Sequence, residues 1–137
     1  MKSIDRVKLL VKRSMSFLKY SFEALNAGEY DLAVFNADQS LQLLVKAVLL
    51  HITGYYPQIH GIRELLGAYY EVTRDDVIRD IVREYRKELV ELEKAYIEAW
   101  YGLTVYEYEE SRRLLEFVKK IIEYLLDKHR ELAPKTL

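Results

Sequence analysis

The stretch that decides the fold is residues 28–54, which read GEYDLAVFNADQSLQLLVKAVLLHITG. Apolar residues recur in it every three or four positions, as in an amphipathic helix. The repeat predicts a helix from Tyr30 to about Thr53, because Gly28 and Gly54 flank it and Pro57 follows. The residues expected to form its buried stripe are Tyr30, Val34, Ala37, Leu41, Leu44, Val48 and Ile52.

The same periodicity continues on both sides of this helix. Thr73 or Asp75 can cap the fourth helix, and an aromatic loop separates that helix from the last one. Alternation typical of strands is missing from the sequence. The predicted fold is all-α, an antiparallel four-helix up-and-down bundle with an additional short helix. The further helices are expected at residues 3–27, about 59–70 (the short one), 75–99 and 109–130. The buried stripe of the first helix is expected to begin at Ile4, and that of the helix over residues 75–99 to consist of Val77, Ile81, Tyr85, Leu89, Leu92 and Tyr96.

The composition bounds the class of protein. A chain of 137 residues, half of them hydrophobic, is large enough to bury one core. We expect a single domain over residues 1–131 and a frayed tail over residues 132–137. The net charge of −1 does not mark a nucleic-acid binder, and the lack of cysteine excludes disulfides and thiolate sites. With neither a signal peptide nor a long apolar run, a soluble cytoplasmic protein is expected. The low content of Asn, Gln and Met favours a thermophilic source.

A strip of polar side chains lies on the flank of the helix that begins at Tyr30. It contains Asp38, Gln39, Gln42 and Lys46 at helical spacing, mixed with apolar neighbours. Such a strip is expected to be half-buried, and buried polar groups need partners, which neighbouring helices, a ligand or another chain can supply. The alternative is an ordinary helix surface on which Lys46 snorkels to solvent.

This pattern of residues resembles the HEPN family of small helical proteins, and the resemblance covers nearly the whole chain. Members of that family work beside minimal nucleotidyltransferases or act as ribonucleases. The residues that carry the resemblance are Gly28, Tyr30, Ala33, Gln39, Lys46, Ala47, Gly54, His60, Leu65 and Leu66, followed by Leu92, Ala95, Tyr96 and Tyr101.

The ribonuclease signature of the family is absent from this chain. Catalytic members have an Arg followed four to six residues later by a His, which together hold the phosphate and move the 2′-hydroxyl proton. No Arg and His of this chain have that separation. Related sequences often have Arg-Tyr-Pro where Trp100 and Gly102 flank Tyr101, and a His is missing downstream, where Val105, Tyr106 and Glu107 stand. The resemblance therefore implies a member without the usual ribonuclease activity.

Histidines and aromatic residues are the remaining candidates. His60 lies at the start of a predicted helix, where it either caps and packs or contacts phosphate and donates a proton. His51 and His129 are expected beside the last carbonyls of helices, and no histidine pair has metal-ligand spacing. One aromatic group is expected to pack in the core and loop, with base stacking or protein anchoring as the functional alternative: Tyr96, Trp100, Tyr101, Tyr106 and Tyr108.

Three functional hypotheses follow. The resemblance implies a dimeric partner of a minimal nucleotidyltransferase in a toxin–antitoxin-like pair, without its own catalysis. The alternatives are a divergent metal-independent ribonuclease that uses Lys46, His60 and Tyr106, and a nucleotide-binding module. No metal, cofactor or membrane is expected, and RNA or a nucleotide is the alternative ligand. The residues expected to bind a ligand or partner are Asp38, Gln39, Gln42, Lys46, His60, Trp100 and Tyr101.

Overall fold

The computed structural model describes residues 3–102 and 105–134, with the backbone alone at positions 3, 99 and 100. These ranges contain helices and no strand, so the prediction of an all-α protein is confirmed. The helix expected from Tyr30 to Thr53 is present with those bounds. The helices are α1 Ser3–Asn26, α2 Tyr30–Thr53, α3 Ile62–Thr73, α4 Asp76–Glu84, α5 Arg86–Tyr101 and α6 Tyr108–Lys128, followed by the 3₁₀ turn Arg130–Leu132.

Helix α2 is the centre of the molecule. It packs against α1, α3, α5 and α6. Its buried positions include the seven consecutive residues Leu44–Leu50, which span nearly two turns and therefore lie on every side of the helix. A helix that is apolar on nearly all sides must be covered on nearly all sides, so the sequence of α2 places it inside the fold.

Two serines join α1 to α2. Ser14 Oγ donates to the Ser40 carbonyl at 2.7 Å, and Ser40 Oγ donates to the Ser14 carbonyl at 2.7 Å. Both side chains are buried, and their small size lets the two backbones approach closely. The turn between these helices contains Gly28, whose φ of 78° is a conformation that L residues rarely adopt.

The helix expected over residues 75–99 is wrong as a single element. It is interrupted at Tyr85, which has φ −112° and ψ 31° and separates α4 from α5. The Tyr85 ring lies 5.3 Å from the Phe117 ring, centroid to centroid, and is partly exposed. The buried stripe also shifts by one residue in α4, because Ile78 is buried and the predicted Val77 is exposed. Ile4 and Ile52, also placed in buried stripes, are exposed.

Asp75 is the centre of a buried hydrogen-bond network that joins α3 and α4 to α6. Its carboxylate caps α4 by accepting from the Val77 N–H at 3.1 Å, and accepts from the Tyr69 and Tyr124 hydroxyls at 2.8–2.9 Å. His129 Nε2 lies 2.8 Å from the Tyr69 oxygen. Because the Tyr69 proton goes to Asp75, His129 donates in this contact. The predicted cap at Asp75 is confirmed, whereas the phenol partners are a finding of the structure.

The end of the chain is partly packed. Leu132, the first residue of the predicted tail, is buried in the 3₁₀ turn, and Ala133 packs against the core. Residues 135–137 lie outside the described ranges. Within residues 3–102 and 105–134, no helix has both the length and the apolar character that a membrane span requires.

Candidate functional site

The centre of the polar strip is Asp38, which is fully buried on α2. Gln42 Nε2 donates to Asp38 Oδ2 at 2.7 Å, and Gln39 Nε2 lies at the limit of a hydrogen bond, 3.5 Å away. The second oxygen, Oδ1, has no hydrogen-bond partner among the described residues. Burial raises the pKa of Asp38 to about 7, against the opposing effect of the Gln42 hydrogen bond. This carboxyl group therefore changes its charge near neutral pH.

An ion pair between Arg63 and Glu93 lies near Asp38. Arg63 on α3 donates from Nε and Nη2 to the two carboxylate oxygens of Glu93 on α5, at 2.7 and 2.9 Å, and its backbone N–H donates at 3.2 Å. These hydrogen bonds hold the pKa of Glu93 below its ordinary value. The negative charge of Glu93 in turn contributes to the raised pKa of Asp38. The pair fastens the first turn of α3 to α5 and engages one edge of the guanidinium group, its Nε and Nη2.

His60 belongs to an aromatic stack. Its ring lies parallel to that of Tyr96 at 6.2 Å, and Tyr96 stacks on Phe35 of α2 at 6.2 Å. The N-cap of α3 is Gly61, so His60 packs and does not cap the helix. Its ring makes no hydrogen bond or ion pair with any residue that the structure describes, and it is exposed.

Lys46 is buried, with 5 % of its surface exposed. Its Nζ lies 5.5 Å from the centroid of the Tyr56 ring, and within 4.0 Å it has no ion pair to a residue in the described ranges. Burial lowers the pKa of Lys46, and the charge of Asp38 opposes this shift. The alternative of an ordinary helix surface is therefore wrong for Asp38, Gln42 and Lys46, all of which are buried.

The remaining predicted residues lie at the other end of α2. Tyr106 is buried and lines a small cavity of about 220 Å³ with Tyr30 and Asp31. Asp31 precedes Lys46 by 15 residues of one helix, a distance of roughly 22 Å along its axis. Burial, together with nearby carboxylates, raises the pKa of Tyr106 to about 12. The structure thus separates Tyr106 from Lys46. Tyr101 is exposed at this end, and the Trp100 side chain lies outside the described residues.

Sequence reasoning missed Arg63, Glu93 and Tyr56. Glu93 had a detectable signal, because it follows Leu89 by four residues and precedes Tyr96 by three, and both belong to the predicted buried stripe. Arg63 and Tyr56 gave no comparable signal, since each depends on a contact between separate elements. In the parts of the chain that the structure describes, no three His, Asp or Glu side chains come together to hold a metal ion.

Comparison with known proteins identifies the family of this chain. A family model described as the HEPN domain matches residues 7–129. Curated proteins and solved structures give no match. The matched region runs from the first turns of α1 to the residue after α6, and it includes both the polar cluster around Asp38 and the end that carries Tyr101. Because the match covers nearly the entire chain, the protein belongs to the HEPN domain family.

Proposed function

We propose that this chain acts as the dimeric partner of a minimal nucleotidyltransferase in a toxin–antitoxin-like pair in the cytoplasm, and that it does not catalyse a reaction itself. The observation that supports the lack of catalysis most directly is the engagement of Arg63, and the partnership rests on the family to which the chain belongs. Arg63 is the arginine nearest to His60 in sequence, and Glu93 occupies its guanidinium with both carboxylate oxygens. A catalytic member needs a free arginine beside a histidine to hold a phosphate as charge develops.

The proposal includes the order of the helices. In an antiparallel up-and-down bundle, α1 and α5 run opposite to α2, and α6 runs parallel to it. Two contacts support the parallel course of α2 and α6. Tyr30 and Tyr108, at the starts of α2 and α6, have ring centroids 6.0 Å apart. His51 near the end of α2 lies 3.7 Å from Glu131, which follows α6.

The partnership is tested by co-expressing this chain with the nucleotidyltransferase encoded beside its gene. We expect one complex on size exclusion with both chains in a fixed ratio. The purified chain alone is expected to leave unstructured RNA intact in EDTA. Metal-independent cleavage that His60→Ala abolishes would replace this proposal with the divergent ribonuclease.

A second candidate, a nucleotide-binding module, is favoured by one cavity. It has a volume of about 450 Å³, and Arg6 and Arg13 of α1 line it together with Tyr56, whose ring also covers Lys46. Calorimetry with ATP tests this candidate. Binding that Arg13→Gln abolishes and Lys12→Gln preserves would establish it, because Lys12 is an exposed residue of the same helix that lines a different cavity.

A further inference from the structure

The end of α5 and the loop that follows it present large apolar side chains to solvent. Ile97 and Tyr101 lie four residues apart on one face of α5 and are 60 % and 86 % exposed. Val105 is 87 % exposed and lines the cavity beside Asp31. Soluble proteins seldom leave such side chains clustered in water unless another molecule covers them.

Carboxylates lie near this end of the molecule. The charges of Glu91, Glu98, Glu110 and Asp31 act on the phenol of the buried Tyr106, which lines the same cavity as Val105 and Asp31. Two further carboxylates are exposed nearby at the start of α6, those of Glu107 and Glu109. Two nearby carboxylates are paired with basic groups, Glu91 with Lys94 at 3.8 Å and Glu109 with Arg112 at 3.1 Å. Asp31, Glu107 and Glu110 have no ion pair with a residue that the structure describes, so the surface is both apolar and negatively charged.

We propose that this acidic apolar end, formed by Asp31, Ile97, Tyr101, Val105 and Glu107, is the surface that docks a positively charged patch of a partner protein. The inference rests on the proposed function, since the partner is the nucleotidyltransferase. The apolar side chains provide the buried centre of the contact, and the carboxylates around them attract lysine and arginine side chains of the partner.

The negative charge of the acidic apolar end distinguishes among three possible binding partners: RNA, a second copy of this chain and a basic protein surface. An RNA strand would bring phosphates against the carboxylates of Asp31, Glu107 and Glu110, and nucleic-acid sites need the opposite charge. A second copy of this chain, related by a two-fold axis through the same end, would oppose identical carboxylates. A basic protein surface is the occupant for which both the apolar and the charged groups find complementary partners.

The apolar contact is tested with two matched tyrosine variants. Tyr101→Ala removes the exposed aromatic side chain at the acidic apolar end. Tyr55→Ala removes one that is 65 % exposed just beyond the opposite end of α2. In titrations of the purified nucleotidyltransferase, we expect Tyr101→Ala to raise the Kd ~10- to 100-fold. We expect Tyr55→Ala to leave the Kd unchanged.

The charged contact is tested with two matched double variants. Asp31→Asn with Glu107→Gln neutralises two carboxylates of the acidic apolar end. Asp5→Asn with Glu64→Gln neutralises two in the first turns of α1 and α3. We expect the first pair to slow association and to weaken its dependence on salt, while the second pair behaves as the unsubstituted chain. Circular dichroism melting verifies that each variant is folded.

Each outcome bears on a different statement. If the unsubstituted chain forms no complex with the nucleotidyltransferase, both the proposed function and this inference fail. If a complex forms but the Tyr101 and Tyr55 variants bind it equally, the partnership stands and the docking surface is wrong. If a single-stranded RNA binds the unsubstituted chain and Tyr101→Ala abolishes that binding, the end is a nucleic-acid site and the inference is overturned.

Discussion

At the scale of single residues, Asp38 is the most unusual group in the molecule. It is a fully buried carboxyl with one oxygen bonded to Gln42 and the other without a partner in the described ranges. Removing a carboxylate from water disfavours its charged form, which is why the pKa of Asp38 rises to about 7. The raised pKa of Asp38 therefore lowers the free energy of unfolding at neutral pH.

Asp38→Asn is therefore expected to stabilise the fold in a pH-dependent way. The folded-state pKa lies above the ordinary value, so the stability contributed by Asp38 is greatest below about pH 4 and is lost as the pH rises toward 7. Because asparagine does not ionise, the gain from the substitution is expected to be small at pH 4 and on the order of 1–4 kcal/mol at pH 8. Urea unfolding at both pH values measures it, and an equal gain at both would contradict the explanation.

Lys46 lets structure and binding be separated at a second residue. Its ammonium is buried against Tyr56 without an ion pair to a described residue, so truncation to alanine removes packing as well as charge. Lys46→Met keeps most of the volume and is expected to hold or raise the melting temperature. Thermal melting beside a titration with the nucleotidyltransferase measures both effects. If the methionine variant melts well below the unsubstituted chain, the charge of Lys46 is part of a structural network.

At the scale of elements, the hydrogen-bond network around Asp75 joins α3, α4 and α6. Burial raises the pKa of Asp75, but the hydrogen bonds of Tyr124 and Tyr69 more than offset this, and its pKa lies below the ordinary value. The ionised carboxylate therefore contributes stability above about pH 4, and this contribution is lost as the pH falls through the lowered pKa.

Tyr124→Phe removes one donor from this hydrogen-bond network and leaves the aromatic ring at position 124 in place. We expect a loss of about 1.5–3 kcal/mol at pH 7, as for other hydrogen bonds to charged groups. The loss is expected to shrink in acid, because protonated Asp75 needs fewer donors. Tyr55→Phe is the control, since the Tyr55 phenol makes no hydrogen bond with a residue in the described ranges. If urea unfolding shows that both variants lose the same free energy of unfolding, the loss does not come from the hydrogen-bond network around Asp75.

The elements also show what the sequence predicts and where prediction stops. Contacts within one helix follow from spacing alone. Asp38 and Gln42 are four residues apart, so the spacing placed them on the same flank of α2, where they form a hydrogen bond. The Arg63–Glu93 pair joins residues 30 positions apart, and its geometry depends on how α3 docks on α5. In the sequence, apolar residues keep one helical period through Tyr85, so spacing predicts neither the interruption there nor the burial of Ile78 in place of Val77. In the structure the Tyr85 ring contacts the Phe117 ring of α6.

At the scale of the whole molecule, the homodimer stays a prediction, and we assign it to the face of α2 that carries the exposed Leu32. Leu32, Gln39 and Leu43 follow one another at helical spacing on α2, all at least partly exposed. Leu32→Arg is expected to yield a 16.3 kDa monomer in light scattering. Val77→Arg, at a position that is 48 % exposed compared with 44 % for Leu32, is expected to leave the dimer intact. A monomeric unsubstituted chain would contradict the prediction.

The central position of α2 has a consequence for the exchange of backbone amide hydrogens with solvent. Helices on several sides cover α2, so its middle amides are expected to exchange only when the entire chain unfolds. Helix α4 buries a single residue, Ile78, and its amides are expected to exchange through brief local opening. A partner that slows exchange near Tyr101 without affecting α2 would therefore act on the surface of a rigid body, whereas protection that spreads into α4 would reveal that binding tightens the junction at Tyr85.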